Sequence, residues 1–181
     1  IIIFITFYFI DYSKKEITDI KEDISKDKVA LDENNNSSNL IEDLKYFSTD
    51  DSGNKYEINA KKGEINIDKP ELIYMTNVTA IITMKDSIPI KIRSDYATYD
   101  NINYDTYFKE NVLINHQTHK ITGNNLELLF KTSKANMYEN VTYTNVNTTL
   151  NADRIEIDLI TKNSKIFMDN SYEKIQISMK E

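Results

Sequence analysis

From Ile41 onward apolar and polar residues alternate with a period of two, the pattern of strands with one dry and one wet face. Clear runs are Tyr56-Glu57-Ile58-Asn59-Ala60, Ile90-Lys91-Ile92, Leu126-Glu127-Leu128, Ile155-Glu156-Ile157-Asp158-Leu159 and Ile175-Gln176-Ile177-Ser178-Met179. No stretch after residue 40 offers an amphipathic helix, so the domain is expected to be nearly all β. A weak repeat runs through it. A small residue closes an alternating pair at Ala60, Ser94, Gly123 and Ala152, and the pairs Asn77-Val78, Asn111-Val112 and Asn140-Val141 come after. The interval from small residue to Asn is 17 in all three copies, and a degenerate fourth reaches Asp169. Steps of 34, 29 and 29 residues suit short-strand units that bury their faces by stacking. Such a stack is elongated and has two open ends.

The alternation predicts an inward apolar row of Ile58, Ile67, Val78, Ile82, Ile92, Val112, Ile114, Ile121, Leu126, Leu128, Phe130, Val141, Ile155, Ile157, Leu159, Ile166 and Met168. Tyr74, Tyr96, Tyr107, Tyr138, Tyr143 and Tyr172 are amphipathic and suit its rim. An ordinary packed core explains any one of these residues. A narrow stack with few large residues also leaves room for a slot that holds an apolar guest.

Before the strands come two different stretches. Residues 1–10, Ile-Ile-Ile-Phe-Ile-Thr-Phe-Tyr-Phe-Ile, carry no charge and as a helix span only about 15 Å, half a bilayer core. The expectation is a truncated transmembrane anchor, the remnant of a longer helix. Bulky residues from Thr6 to Tyr12 argue against a signal-peptide cleavage site. Residues 11–40 are rich in Lys, Asp, Glu, Asn and Ser and read as a polar tether. Residues 41–181 form the β domain.

Composition narrows the chemistry. The 181 residues include no Cys, three Gly and two Pro, with a net charge of −7. Zero cysteine excludes disulfides and thiolate metal sites, and three scattered glycines leave no phosphate-binding loop. The negative charge opposes a nucleic-acid partner. His116 and His119 flank an apparent turn with no third metal ligand singled out. Asp50-Asp51 beside Gly53 reads as a hairpin turn, and Glu156 and Asp158 alternate with isoleucines as solvated charges. No catalytic residue, metal or cofactor is expected.

The order of features then becomes recognisable. An apolar N-terminus and a polar tether lead into Asp51-Ser52-Gly53-Asn54-Lys55-Tyr56-Glu57-Ile58-Asn59-Ala60, with its Gly-x-x-Tyr-x-Ile-x-Ala pattern. Beyond it come Ile88-Pro89-Ile90-Lys91-Ile92-Arg93-Ser94-Asp95, the Asn111-Val112 step and Ile121-Thr122-Gly123-Asn124-Asn125-Leu126-Glu127-Leu128. The whole resembles the lipopolysaccharide-export LptC family, with motifs shared by LptA and other OstA-like domains. The resemblance implies an elongated, open β-jellyroll of two facing antiparallel sheets and a non-enzymatic role. Lipopolysaccharide would pass from an inner-membrane ABC transporter of the LptB/LptF/LptG type into an apolar groove, and on to an LptA-type periplasmic bridge protein. The groove would comprise the inward row from Ile58 to Met168, with Tyr74 where the family has an aromatic and Tyr172 matching a C-terminal tyrosine. Glu139-Asn140 stands where the family often has a glycine. Edge strands would meet the partners, through Leu44, Tyr46 and Tyr56 near the N-terminus and Ile175, Ile177 and Met179 near the C-terminus. The implied location is the inner membrane, with one span and the domain in the periplasm. A soluble LptA-like bridge protein and a structural β-repeat with a filled core are the alternatives.

Overall fold

The structure is a computed structural model that describes residues 38–50, 53–85, 87–159, 161, 163–169 and 175–179. The expected anchor and nearly all of the tether, together with Tyr172, lie outside the described residues. Among the described residues no helix is long and apolar enough to cross a membrane.

Among the described residues ten strands succeed one another: β1 (Ser38–Thr49), β2 (Lys55–Asn66), β3 (Leu72–Thr83), β4 (Ile90–Asp100), β5 (Asp105–His116), β6 (His119–Leu129), β7 (Lys134–Thr144), β8 (Thr148–Asp158), β9 (Ser164–Phe167) and β10 (Gln176–Met179). Each pairs antiparallel with the next from β1 to β8. The two short strands β9 and β10 share the far side of β8, one on each half. This corrects two expectations. There is one open sheet instead of two, and its main strands are 11 or 12 residues long instead of short.

The sheet is nevertheless folded over on itself. Tyr46 lies in the row of Ile58, Ala80 and Ile92, whereas Tyr99 lies seven residues further along β4. In a flat sheet the two would be more than about 25 Å apart, yet their ring centroids are 5.5 Å apart. Gly123 likewise lies against Met137, although its row partner on β7 is next to Val141. Close backbone approaches occur only between paired strands. The two limbs therefore meet through side chains, at the roughly 10 Å separation of packed sheets.

The fold line is written in the backbone. Asp43, Asn77, Glu110, Asn111, Glu139 and Asn140 all have positive φ and sit mid-strand in β1, β3, β5 and β7. β5 and β7 carry the extra residues, so the ladders they make with their neighbours shift register, at Arg93/Tyr96, Lys109/Val112, Thr122/Asn125 and Tyr138/Val141. In β5 and β7 the inward residues are four apart across the fold line, at Phe108/Val112 and Met137/Val141, and stay in step, but in the other crossing strands the period-two alternation loses step. Inward residues are three apart at Ala60/Gly63, Met75/Val78, Ser94/Ala97, Gly123/Leu126 and Ala152/Ile155. A bulge of this kind bends the strand and re-aims the side chains beyond it.

The sequence repeat now has a physical meaning. Small residues face valines across the hairpins, as in Ala60 with Val78, Gly123 with Val112 and Ala152 with Val141. The Asn before each valine takes the left-handed conformation, which Asn tolerates better than most residues. The 17-residue interval is thus the distance around a hairpin from one corner residue to the next.

Scarce glycine is offset by Asp and Asn side chains that cap the turns. Asp50 accepts bonds from the Asn54 backbone N–H at 2.9 Å and from the Tyr56 hydroxyl at 3.0 Å, beside Gly53 at φ +82°. Asp100 accepts from the N–H groups of Asn103 and Ile102, which holds its carboxyl below the usual range. Asn145 accepts from Asn147 and Thr148, and Asp158 from Thr161.

Candidate functional site

The inner face of the folded sheet is one continuous apolar cluster. Around the corner it is sealed: Val78, Val112, Val141, Ile92, Leu126, Met137 and Leu150 are almost wholly buried. Further from the corner, Ile73, Ile82, Met84, Leu128 and Leu159 are half-buried and pack against that cluster, as does Ile114 in the row of Ile92 and Leu150. The face therefore has a closed corner and a partly open lip.

Of the predicted groove residues, Ile58, Val78, Ile92, Val112, Leu126, Val141, Ile155 and Ile157 are buried on this face, with Ile121 beside them. Ile82, Ile114, Leu128, Leu159, Ile166 and Met168 lie half-buried around it. Phe130 lies just past β6 and packs on Tyr104, ring centroids 6.0 Å apart. Two positions are corrected. Tyr74 is 40% exposed on the outer face, because the slip at Asn77 turns Met75 inward in its place. Ile67 lies just past β2 and is exposed. Extending the alternation straight through the fold line also misses Met75, Ala97 and Tyr99, buried beyond it, whereas Phe108, Ala135 and Met137 lie four or six residues from Val112 and Val141 and keep the period, though the predicted row omits them. The signal that finds the first three is the three-residue step before Val78 and after Ser94.

At the lip, His116 ends β5 and His119 begins β6 across a two-residue turn in which Gln117 has positive φ. The His119 ring nitrogen Nδ1 lies 2.7 Å from the Tyr143 hydroxyl, which also accepts a bond from the Asn145 amide. Burial pushes the Tyr143 hydroxyl up and, together with the neighbouring His119, lowers His116. Among the described residues no three His, Asp or Glu side chains are grouped to hold a metal.

The sheet ends in two edges. β1 carries Leu44 and Tyr46 and pairs only with β2. Leu44 fills the space left by the missing side chain of Gly63. Asp43 and Lys61 pair at 2.8 Å on the solvent side, which lowers the carboxyl and raises the amine. Tyr56 is corrected as an edge residue, since β2 is paired on both sides and Tyr56 lies between Ser48 and Ile82. At the other end Ile177 and Met179 are exposed on β10, with Ile175 just before it.

The outer face along the fold line is polar. A depression of about 530 Å³ is lined by Lys109, Glu110, Asn111, Asn124, Asn125, Tyr138 and Glu139. The bulges of β5 and β7 form its walls and Asn124 and Asn125 of β6 its floor.

An open sheet folded around an apolar interior, bounded by β1 on one side and by β9 and β10 on the other, is the build of an open β-jellyroll. Its family is established by the sequence: residues 1–168 match the family model described as lipopolysaccharide-assembly, LptC-related, and the chain belongs to that family. Its general role is that of a component of the Lpt lipopolysaccharide-transport bridge, and it is non-catalytic. The fold is similar to the crystal structure of LptH, the LptA-homologous periplasmic component of the lipopolysaccharide transport device of Pseudomonas aeruginosa. The TM-score is 0.51 at 12% identity, covering 68% of this chain and 92% of that one. No curated protein matches the chain significantly.

Proposed function

We propose that the folded sheet is a periplasmic segment of the lipopolysaccharide bridge that holds acyl chains between its limbs, entering from the lip. The observation that carries this is one continuous apolar inner face in which Ile82, Ile114 and Leu128 stay half-buried beside the buried Ile90, Ile92 and Ala135 of the same rows. Each methylene buried there contributes about 0.8 kcal/mol. Apolar contacts are non-directional, so a chain can slide along the row while the sum stays favourable. The working unit in this reading is the LptA-like sheet, supported by the likeness in fold to a periplasmic LptA homologue. Membrane anchoring through residues 1–10 is the second reading, favoured by their lying inside the matched family stretch. Sedimentation of the full chain with inner membranes separates the two.

Partners in this reading add strands at the edges, the transporter's jellyroll at β1 and an LptA-type protein at β10. Placing Pro at Ile177 is expected to abolish LptA-type binding with the fold retained; unchanged binding rejects that assignment. The lipid claim is tested by a photocrosslinker placed at Ile114, Leu128 or Tyr74 during lipopolysaccharide transport. Adducts are expected at the first two and none at outer-face Tyr74. No adduct at Ile114 and Leu128 favours the filled-core reading, which the sealing of Val112 and Leu126 supports.

A further inference from the structure

The outer face of one limb carries features that an apolar interior does not explain. Along one row lie Thr76, Tyr96, Lys109, Asn125, Tyr138, Arg154 and Phe167 in register. The adjacent row holds Tyr74, Thr98, Tyr107, Glu127 and Asn136. Tyr74, Tyr96 and Tyr107 are 39–47% exposed although nothing in sheet formation requires three large aromatics on a wet face. The Tyr138 hydroxyl donates to Glu127 at 3.2 Å, which fixes that ring. Arg154 is already stacked on Phe167, 4.3 Å from the ring centroid, so the cationic end of the row is engaged within the chain.

Beside these rings lies the polar depression along the fold line. Its side chains are Lys109, three amides, Tyr138 and carboxylates, so donors and acceptors are mixed and one cation faces two carboxylates. Asn125 donates to Glu139 at 2.9 Å and Asn111 to Asp95 at 2.6 Å, which holds both amides in place. Each Asn still offers a carbonyl oxygen and a second N–H. A fully anionic ligand would meet Glu110 and Glu139, and an apolar one would strip the amides of water without replacing their bonds. A sugar ring fits better. Its hydroxyls both donate and accept, and its C–H face packs on an aromatic ring.

We infer that this outer groove, formed by Lys109, Asn111, Asn124, Asn125, Tyr138 and Glu139 with Tyr107 and Tyr96 as its platform, binds an oligosaccharide. The site lies on the face opposite the apolar interior. The inference does not rest on the acyl reading, since a sugar without lipid tests it alone.

The test is a titration of the full chain with lipid-free oligosaccharide released from lipopolysaccharide by complete deacylation, monitored by NMR of the backbone and Asn side-chain amides. Saturable shifts are expected at Asn111, Asn124 and Asn125. Asn125→Ala and the exposed-site variant Tyr107→Ala should each weaken binding about tenfold, while Val146→Ala, in the exposed turn after β7, leaves it unchanged. Tyr138→Phe, which keeps the ring, should weaken it less. Absence of saturable shifts overturns the proposal. So do equal affinities in Tyr107→Ala and the parent chain, or shifts reproduced in full by inorganic phosphate, which would mark Lys109 as an anion contact only.

Discussion

The corner and the lip belong to the same apolar face, yet they are built from different side chains. Ala60, Val78, Ser94, Val112, Gly123, Val141 and Ala152 line the corner, and all are small and buried. Ile82, Met84, Ile114, Leu128 and Leu159 stand at the lip, larger and half-buried. Where two limbs of one sheet converge, side-chain volume sets how closely they approach, so the hinge takes small residues. Further out the limbs diverge and long side chains span the widening gap. Stability is thus concentrated at the corner, and the capacity to accept a guest at the lip.

The largest contrast should come from a charge placed on either side of that boundary. Val112→Asp puts a carboxylate where the side chain is 1% exposed, with no basic partner in the row. Burying an unpaired charge costs several kcal/mol, comparable to the whole stability of a domain, so this variant should be unfolded by circular dichroism. Ile114→Asp, two residues along the same strand, can turn its charge to solvent at the lip and should still show a cooperative transition. Equal loss in both would erase the distinction.

A milder pair is Leu126→Ala against Leu128→Ala. The first opens a cavity in the sealed layer and should cost about 3 kcal/mol in urea unfolding; the second should cost about half of that. For lipid capture the order should invert, with Leu128→Ala reducing crosslinking yield more than its stability loss explains.

Gly123→Ala tests the hinge spacing directly. A Cβ there would stand 3.1 Å from Met137 Cε and 3.4 Å from the Glu139 carbonyl oxygen. Overpacking of that kind costs about 1–3 kcal/mol. Because the sulfur-containing side chain is the obstacle, Gly123→Ala and Met137→Ala together should destabilise less than the sum of the two. Strict additivity in a double-mutant cycle would mean that the limbs do not meet there.

How much of this is legible in the sequence depends on position relative to the fold line. Within one limb the alternation is faithful: Ile155 and Ile157, Leu126 and Leu128, and Ile90 and Ile92 all face inward as the period-two pattern predicts. Across the line it fails in β2, β3, β4, β6 and β8, where inward residues stand three apart without a break in the run of apolar and polar types, and it survives in β5 and β7, where they stand four apart. Tyr74, given to the groove by the resemblance and of the same parity as Val78, turns outward for that reason, and Met75 escapes notice. The line itself is visible as the small-residue and Asn-Val repeat, but its meaning is not, since a 17-residue interval fits stacked short units as well as hairpins that bend midway. One sheet folded in half and two facing sheets bury the same residues. Only ladders that continue through the corners, in step from β2 to β4 and shifted from β4 to β8, distinguish them. The polar groove is not legible, because its residues come from three strands and look like ordinary surface.

The smallest expected effect concerns pH and again sits at the lip. His116 is buried at the end of β5, and burial, then the proximity of His119, lowers its pKa, partly opposed by a hydrogen bond to Ile88. In the unfolded chain it titrates near 6.5. As pH falls through that value the unfolded state takes up a proton that the folded state resists, so stability declines with falling pH. The contribution is fully present above the unfolded pKa and is lost as pH drops below it toward the folded one. His116→Gln should flatten that part of the stability curve while leaving the decline at carboxylate pH intact, as read from urea midpoints on both sides of 6.5. Since the affected turn closes one end of the lip and not the corner, the corner amides should keep their hydrogen-exchange protection as pH falls through this range, while amides of β5 and β6 next to Gln117 lose theirs first. Simultaneous loss at both places would show that corner and lip open as one unit, and that the division between them is one of packing and not of dynamics.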